Sequence, residues 1–452
     1  MRRFWWSLWL GAGVVYGDSW LLDAVDVGSV AAVQELAAAG EDVNLANGYG
    51  VRPLELACAK GDVELVRVLL ENGAKIEQEK GEPDLVTAAR GGYAEVVDVL
   101  LKNGSSPNVR GGSQTALMWA SAGGHEEVVD LLLGAKVDYG AVAGRKGFDA
   151  LYFAVRAGHE GVVERLVAAG ADLKRAYRPD KAGGKLVGPG TSLLLVAVEN
   201  AHFELALRLI EMGEDPNDLR AGFSALHALT WVRKPQRGDG ASGAPPPRVA
   251  GRMGSLDFAK ELVRAGAEVN LALKHGRRNS GRLNFRGATP FLLAAQTCDL
   301  EYMKLLVSLG ADAMMMNVEE SSALIAAAGL GVTAPGEEAA LDGDVIPVVK
   351  YLLELGHDVN GVDKNGESVM HAAAYKGDPE LVFLLDELGA DPEIWNRKNR
   401  DKRLPITIAH GFRQGNFRPF QYMIDAFGEV MRKHGLEVPE RPMGPGSKKK
   451  GY

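Results

Sequence analysis

Two cysteines in 452 residues, Cys58 and Cys298, are too few and too far apart in the chain for a disulfide framework. No CxxC pair occurs, which removes zinc ribbons, thioredoxin-like redox centres and haem attachment through CxxCH. Aromatic residues make up only 7%, whereas glycine occurs 56 times, a balance that suits many short elements joined by many turns. A basic excess is also missing: 51 Lys+Arg face 59 Asp+Glu, for a net charge of −8. General nucleic-acid binders need the opposite sign to release counterions, so that class is excluded. What is present, 46% hydrophobic and 24% charged, is globular composition rather than a disordered tail or a fibre. At this length two or three compact domains are the default, unless the chain is a repeat array.

The N-terminus has the layout of a secretory signal. Met1-Arg2-Arg3 supplies a positive start, Phe4 to Val15 is an apolar stretch, and Val15 and Gly17 are small residues before Asp18. The stretch falls short of the roughly 20 residues that span a bilayer, and no later segment approaches that length without charges. Residues 1–17 are therefore expected to be an export signal, with an exported mature chain and no transmembrane span in it. Cys58, among small apolar residues, and Cys298, at a helix–helix turn, read as packing residues.

After Asp18, a glycine followed by a short polar tail recurs at positions 40, 73, 104, 134, 170, 213, 266, 310, 356 and 389. The shortest spacings cluster near 33 residues, and longer ones mark insertions into the same unit. Between two such glycines, residues 52–73 (RPLELACAKGDVELVRVLLENG) predict one helix opening at Pro53, a turn at Gly61-Asp62, and a second helix with Val63, Val66, Leu69 and Leu70 on one face. Gly73 then closes the pair where a left-handed residue is wanted. Further copies read TALMWASAGGHEEVVDLLL (115–133), DALYFAVRAGHEGVVERLV (149–167), ATPFLLAAQTCDLEYMKLL (288–306) and SVMHAAAYKGDPELVFLLDELG (368–389).

These residues resemble the ankyrin repeat family, and units such as TALMWA and GATPFLLAA are similar to those of exported bacterial ankyrin proteins, a resemblance that implies a bacterial periplasmic or secreted chain, the periplasm first. The resemblance covers about residues 18–435 in eleven units, starting near Asp18, Gly50, Gly81, Ser113, Lys146, Gly188, Gly222, Gly287, Ser321, Gly366 and Asp401. It implies an all-α solenoid of stacked helix-turn-helix units with hairpin-like fingers and more polar caps at both ends. Insertions are expected at 177–189, 232–254, 274–286 and 329–346, and residues 436–452 are expected to be a disordered basic tail.

Catalytic motifs are lacking. No HExxH, GxSxG or GxxxxGK[ST] is present, and GGKLVGPGTS has a lysine without the following hydroxyl. His125 and His159 occupy the family's turn position, and His227 and His371 its TPLH histidine, all read as structural. Glu126-Glu127 and Glu337-Glu338 read as solvated pairs, Asn103-Gly104-Ser105 as a formal glycosylation sequon, and Arg237-Gly238-Asp239 as a chance tripeptide. No enzymatic activity, cofactor or metal is expected.

A protein partner is. Aligned on the turn glycine, the family's outward place two residues before it is held by Arg90, Arg156, Trp231, Gln296 and Tyr375, and the concave face around units five to ten is the expected binding surface. Trp231 and Tyr375 are its candidate aromatic anchors, unless the following insertion covers Trp231. Trp119 and Phe153 fall in the more buried phase and read as core. A second reading is recognition of an anionic polymer or surface by the two insertions of unit seven. Arg233, Lys234, Arg237, Arg248 and Arg252 give the first a net +4, and Lys274, Arg277, Arg278, Arg282 and Arg286 give the second +5. Exposed charges of this kind govern approach and salt sensitivity more than affinity. Neither the partner's identity nor the oligomeric state is legible.

Overall fold

The computed structural model describes residues 20–78, 82–144, 147–177, 189–235, 247, 249, 251–274, 283–332, 338–340, 343–412 and 418–439. The expected signal at 1–17 and most of the basic tail lie outside them. Among the described residues are 23 helices and a single two-stranded hairpin, Arg110–Gly111 against Gln114–Thr115.

The chain divides into two compact units, residues 1–181 and 182–452, with the boundary inside the insertion expected at 177–189. The first unit holds five helix pairs: α1 (Trp20–Asp26) with α2 (Val30–Ala38), α3 (Pro53–Lys60) with α4 (Val63–Glu71), α5 (Asp84–Gly91) with α6 (Ala94–Lys102), α7 (Ala116–Gly123) with α8 (Glu126–Gly134), and α9 (Ala150–Ala157) with α10 (Glu160–Ala168). In the second unit α11 (Leu193–Glu199) pairs with α12 (Phe203–Glu211), α13 (Ala225–Arg233) with α14 (Ser255–Arg264), and α15 (Pro290–Gln296) with α16 (Leu300–Ser308). It continues with α17 (Ala323–Ala327) and α18 (Val345–Glu354), α19 (Val369–Lys376) and α20 (Pro379–Glu387), the short α21 (Pro392–Trp395), and α22 (Pro405–Ala409) with α23 (Gln421–Lys433). Within each unit, first helices pack on first helices of the next repeat; second helices pack on second throughout the first unit, and in the second unit α12 packs on α14 and α20 on α23.

Local chemistry fixes these boundaries. First helices open on hydroxyl or carboxylate caps: Thr115 accepts the Met118 N–H, Ser192 that of Leu195, and Asp149 that of Tyr152. Second helices use Asp62, Asp299 and Asp378 in the same way. The turn glycines Gly61, Gly92, Gly124, Gly158 and Gly377 sit at φ between 72° and 81°, a region open to glycine. On α4 the buried face is Leu65, Val66, Val68 and Leu69, so the apolar stripe is rotated slightly from the expected one and Val63 is half-buried.

Asparagines four residues after the second-helix glycine tie one finger to the next. Asn270 donates to Gly310 O (3.1 Å) and accepts from Asp312 N (2.8 Å). Asn217 does the same with Gly266 and Glu268, Asn44 with Gly73 and Lys75, and Asn360 with Gly389 and Asp391. After Gly310 the corresponding residue is Met314, which cannot make this pair of bonds. A second irregularity lies one residue after the glycine, where alanine is usual. Glu214 stands there, 4% exposed, with Oε1 lacking a hydrogen-bond partner and Arg220 Nη2 4.0 Å from Oε2. Burial pushes its carboxyl up to about 7, only partly offset by Arg220.

Asn270→Ala should cost about 1–2 kcal/mol and unprotect the Asp312 amide in hydrogen exchange, whereas Met314→Asn should add about 1 kcal/mol by completing the row. Glu214 gives a pH signature. Its folded pKa lies above the usual 4.5, so ionisation destabilises the fold above pH 7, and that cost fades as pH falls toward 4.5. Glu214→Gln should therefore raise stability at pH 8 by up to about 3 kcal/mol and leave it unchanged near pH 4.5, read from denaturant melts at the two pH values.

Candidate functional site

In the first unit, the C-terminal ends of the first helices form an accessible row. Arg90 on α5 and Arg156 on α9 are exposed, and Ala122 on α7 is half-buried. One helical turn before them lie Trp119 and Phe153. Both were expected in the core, yet both are half-buried. The Arg90 guanidinium lies over the Trp119 ring, 5.4 Å from its centroid, and also pairs with Glu82. Trp119 Nε1 is shielded and has no hydrogen-bond partner.

Three rings hold this row in register. A Cβ at Gly61 or Gly91 would overlap the Tyr93 ring, and one at Gly92 or Gly123 would overlap His125. Gly61 and Gly92 are thus seats for the next repeat's ring, while Gly91 and Gly123 face the ring of their own turn. His125 Nε2 bonds Arg90 O (3.1 Å) and His159 Nε2 bonds Ala122 O (3.1 Å), so these histidines satisfy a neighbouring repeat rather than their own turn. Phe153 closes the row against Phe148 and Tyr152, edge-on to both, and those two rings stack at 4.0 Å. Tyr177 seals the cluster by donating to Asp149 Oδ1 (2.9 Å), which Arg175 also pairs.

The second unit presents its row differently, which corrects the expectation. Tyr375 is 3% exposed: its hydroxyl donates to Glu367 Oε1 (3.4 Å) and accepts from Asn399 Nδ2 (3.3 Å). It is therefore no surface anchor. Beside it, Lys376 is buried, its Nζ paired with Glu338 Oε1, and Gly329 packs against its Cβ. Glu338 and Gly329 both belong to the insertion expected at 329–346, so its described residues cover this helix end. Glu338 is accordingly not the solvated residue expected. Trp231 is half-buried, edge-on to Phe223 at 5.3 Å, and Gln296 is half-buried. Glu199, in the same row, is buried, and burial raises its carboxyl well above the usual range.

The expected basic patch also changes. Arg233 belongs to the last turn of α13 and makes a bidentate pair with Asp299 (2.7 and 3.0 Å), with Ser255 Oγ at 2.6 Å. Lys234 Nζ reaches Cys298 O (2.9 Å) and Asp344 Oδ2 (2.8 Å). These residues line a cleft of about 440 Å³ with Glu301, whose cations are thus engaged by acids of the same unit. Arg252, Lys274 and Arg286 are exposed, while Arg237, Arg248, Arg277, Arg278 and Arg282 lie outside the described residues. Sequence spacing gave no signal for the Arg233–Asp299 or Lys376–Glu338 pairs, which join residues from different repeats. The TPLH histidines stand as read. His371 Nδ1 meets Ser368 Oγ (2.9 Å) and its Nε2 meets Arg403 O (3.2 Å). His227 bridges Ser224 to Ala288 O in the same way.

Family models for ankyrin repeats match residues 21–111 and 85–177 (three copies) and residues 339–385 (many copies). The chain carries ankyrin repeats. Similar curated proteins include the ankyrin repeat, SAM and basic leucine zipper domain-containing protein 1 of Pongo abelii and of Equus caballus, each 40% identical over 92 residues. That of Mustela putorius furo is 39% identical over the same length. Each match covers 19% of this chain and 19% of the relative, so the match spans about a fifth of each relative's length. These relatives are animal proteins and give no support to a bacterial, periplasmic setting.

Breaking the Lys376–Glu338 pair from one side should be costly, since it strands a buried charge. Glu338→Gln is expected to lose about 3 kcal/mol and speed proteolysis between residues 329 and 346. The double change Glu338→Gln with Lys376→Met should recover most of the loss in the same melts and digests.

Proposed function

We propose that this ankyrin chain is a non-catalytic scaffold that binds another protein through the inner-helix row of its first unit. The observation that carries this reading is the contrast between the two rows. Arg90 and Arg156 are exposed and Trp119 and Phe153 half-buried, whereas Tyr375 and Lys376 are buried by their own chain. Ankyrin repeats generally mediate protein–protein interaction, and aromatic and arginine side chains dominate such interfaces energetically. The proposed surface thus keeps Arg90 and Arg156 of the expected row, adds Trp119 and Phe153, and leaves out Tyr375.

Export is proposed on the N-terminal segment alone, from Met1-Arg2-Arg3 and the apolar run after it. A reporter active only outside the cytoplasm, fused after residue 30, should be active, and an Arg2→Glu, Leu8→Glu variant should not.

Trp119→Ala and Phe153→Ala together should weaken retention of the cellular partner on immobilised full-length chain at least about tenfold, while Trp231→Ala leaves it unchanged. Retention that follows Trp231 instead, with the first-unit pair silent, would return the site to the second unit.

A further inference from the structure

A separate surface lies on the fingers of the second unit. Met314, Met316, Val318 and Val362 are 45%, 46%, 42% and 45% exposed. Single exposed apolar residues are ordinary, but here four fall on two successive fingers. The two fingers are joined by main-chain bonding, with Lys364 N donating to Glu319 O (2.8 Å), and Val318 N continues the link to Arg286 O (3.1 Å). Met314 stands where Asn44, Asn217, Asn270 and Asn360 tie neighbouring fingers together. The exchange of a bonding asparagine for a methionine gives up two hydrogen bonds and places a thioether at the surface.

Charge on the same fingers has one sign along the row two residues after each glycine. Asp215, Glu268, Asp312, Asp358 and Asp391 occupy that place in the second unit, all but the half-buried Asp391 exposed. The equivalent places of the first unit are mixed: Asp42, Lys75, Ser106, Lys136 and Asp172. Asp215, Asp312, Asp358 and Asp391 each accept the N–H two residues on, at 2.8–2.9 Å, which holds the carboxylates at fixed positions. Of the cations near these carboxylates, Lys364 pairs with Glu320 at 3.1 Å and Lys304 lies over the Tyr351 ring, while Arg286 and Lys350 are exposed. An apolar, methionine-rich strip beside a row of carboxylates is complementary to a helix with leucine-like residues on one face and lysine or arginine on its flank. Methionine suits this task because its unbranched, flexible side chain adapts to varied apolar surfaces.

We propose that the fingers bearing Met314, Met316, Val318 and Val362, with Asp312 and Asp358 beside them, dock a cationic amphipathic helix of a partner protein. This surface is distinct from the Trp119 row and stands or falls independently of it.

The test uses the full-length chain and a fluorescein-labelled 18-residue peptide of leucine and lysine at helical spacing. A control peptide keeps the leucines and alternates lysine with glutamate. Binding is read by anisotropy, for the wild type and for the variants M314N/M316Q, D312N/D358N and W119A. M314N supplies the asparagine of the neighbouring fingers and D312N keeps an acceptor for its turn, so both should fold, as thermal melts will check. The cationic peptide should bind the wild type and W119A alike, bind each finger variant at least about tenfold more weakly, and weaken as salt rises. Equal affinity in the finger variants, or equal binding of the neutral peptide, would overturn the proposal. So would sedimentation showing that M314N/M316Q abolishes self-association of a chain that ignores the peptide, which would assign the strip to a second copy.

Discussion

Each helix pair in this chain has an apolar face too broad to cover by itself, and the neighbouring repeat within the unit covers it. Everything else follows from that dependence. Because adjacent pairs must meet closely, the turn glycines are kept bare, and the space above them is taken by a ring from the next repeat. Tyr93, His125 and His159 are therefore both packing residues and rulers, setting how far apart the ends of α3, α5, α7 and α9 stand. The asparagine row does the same work on the finger side, with two hydrogen bonds per junction. Only where these spacers are in place does a helix end such as that of α5 or α7 carry its side chains at a defined separation.

Function in such a stack depends on what the repeats leave uncovered. In the first unit the row is plain: no insertion among the described residues lies across it, and Arg90 and Trp119 cover each other only in part. In the second unit, insertions between helices are folded into the packing. Lys376 is buried against Glu338, and Lys234 bridges Cys298 O and Asp344. Buried pairs of this kind contribute little net stability over an apolar alternative, but they are costly to break from one side. They fix the insertion ends in one arrangement, at the expense of a binding row.

Ionisable residues are unevenly used as well. His227 is fully buried and burial pushes its imidazole down to about 4, so it works as a neutral hydrogen-bonding ring across the physiological range. Glu214 and Asp84 are the opposite case, carboxyls raised to about 7 and about 6 by burial, each with one oxygen lacking a hydrogen-bond partner. The repeat tolerates them because the rest of each junction is well bonded, and Arg52 lies 3.5 Å from Asp84.

The order of the helix pairs and their turn glycines are set by short-range chemistry, and both were legible along the chain. A proline at a helix start, or a glycine in a left-handed turn, acts within four or five residues and leaves its mark in the repeat period. Which helix ends stay accessible was decided only in three dimensions. Tyr375 looked like an anchor because its position in the repeat is outward-facing, but Asn399, 24 residues on, and Glu367 enclose it. Lys234 looked like part of a free basic loop, but Asp344 stands 110 residues away in sequence and beside it in the fold. Burial of a long side chain is a property of everything packed around it, and no local spacing encodes that.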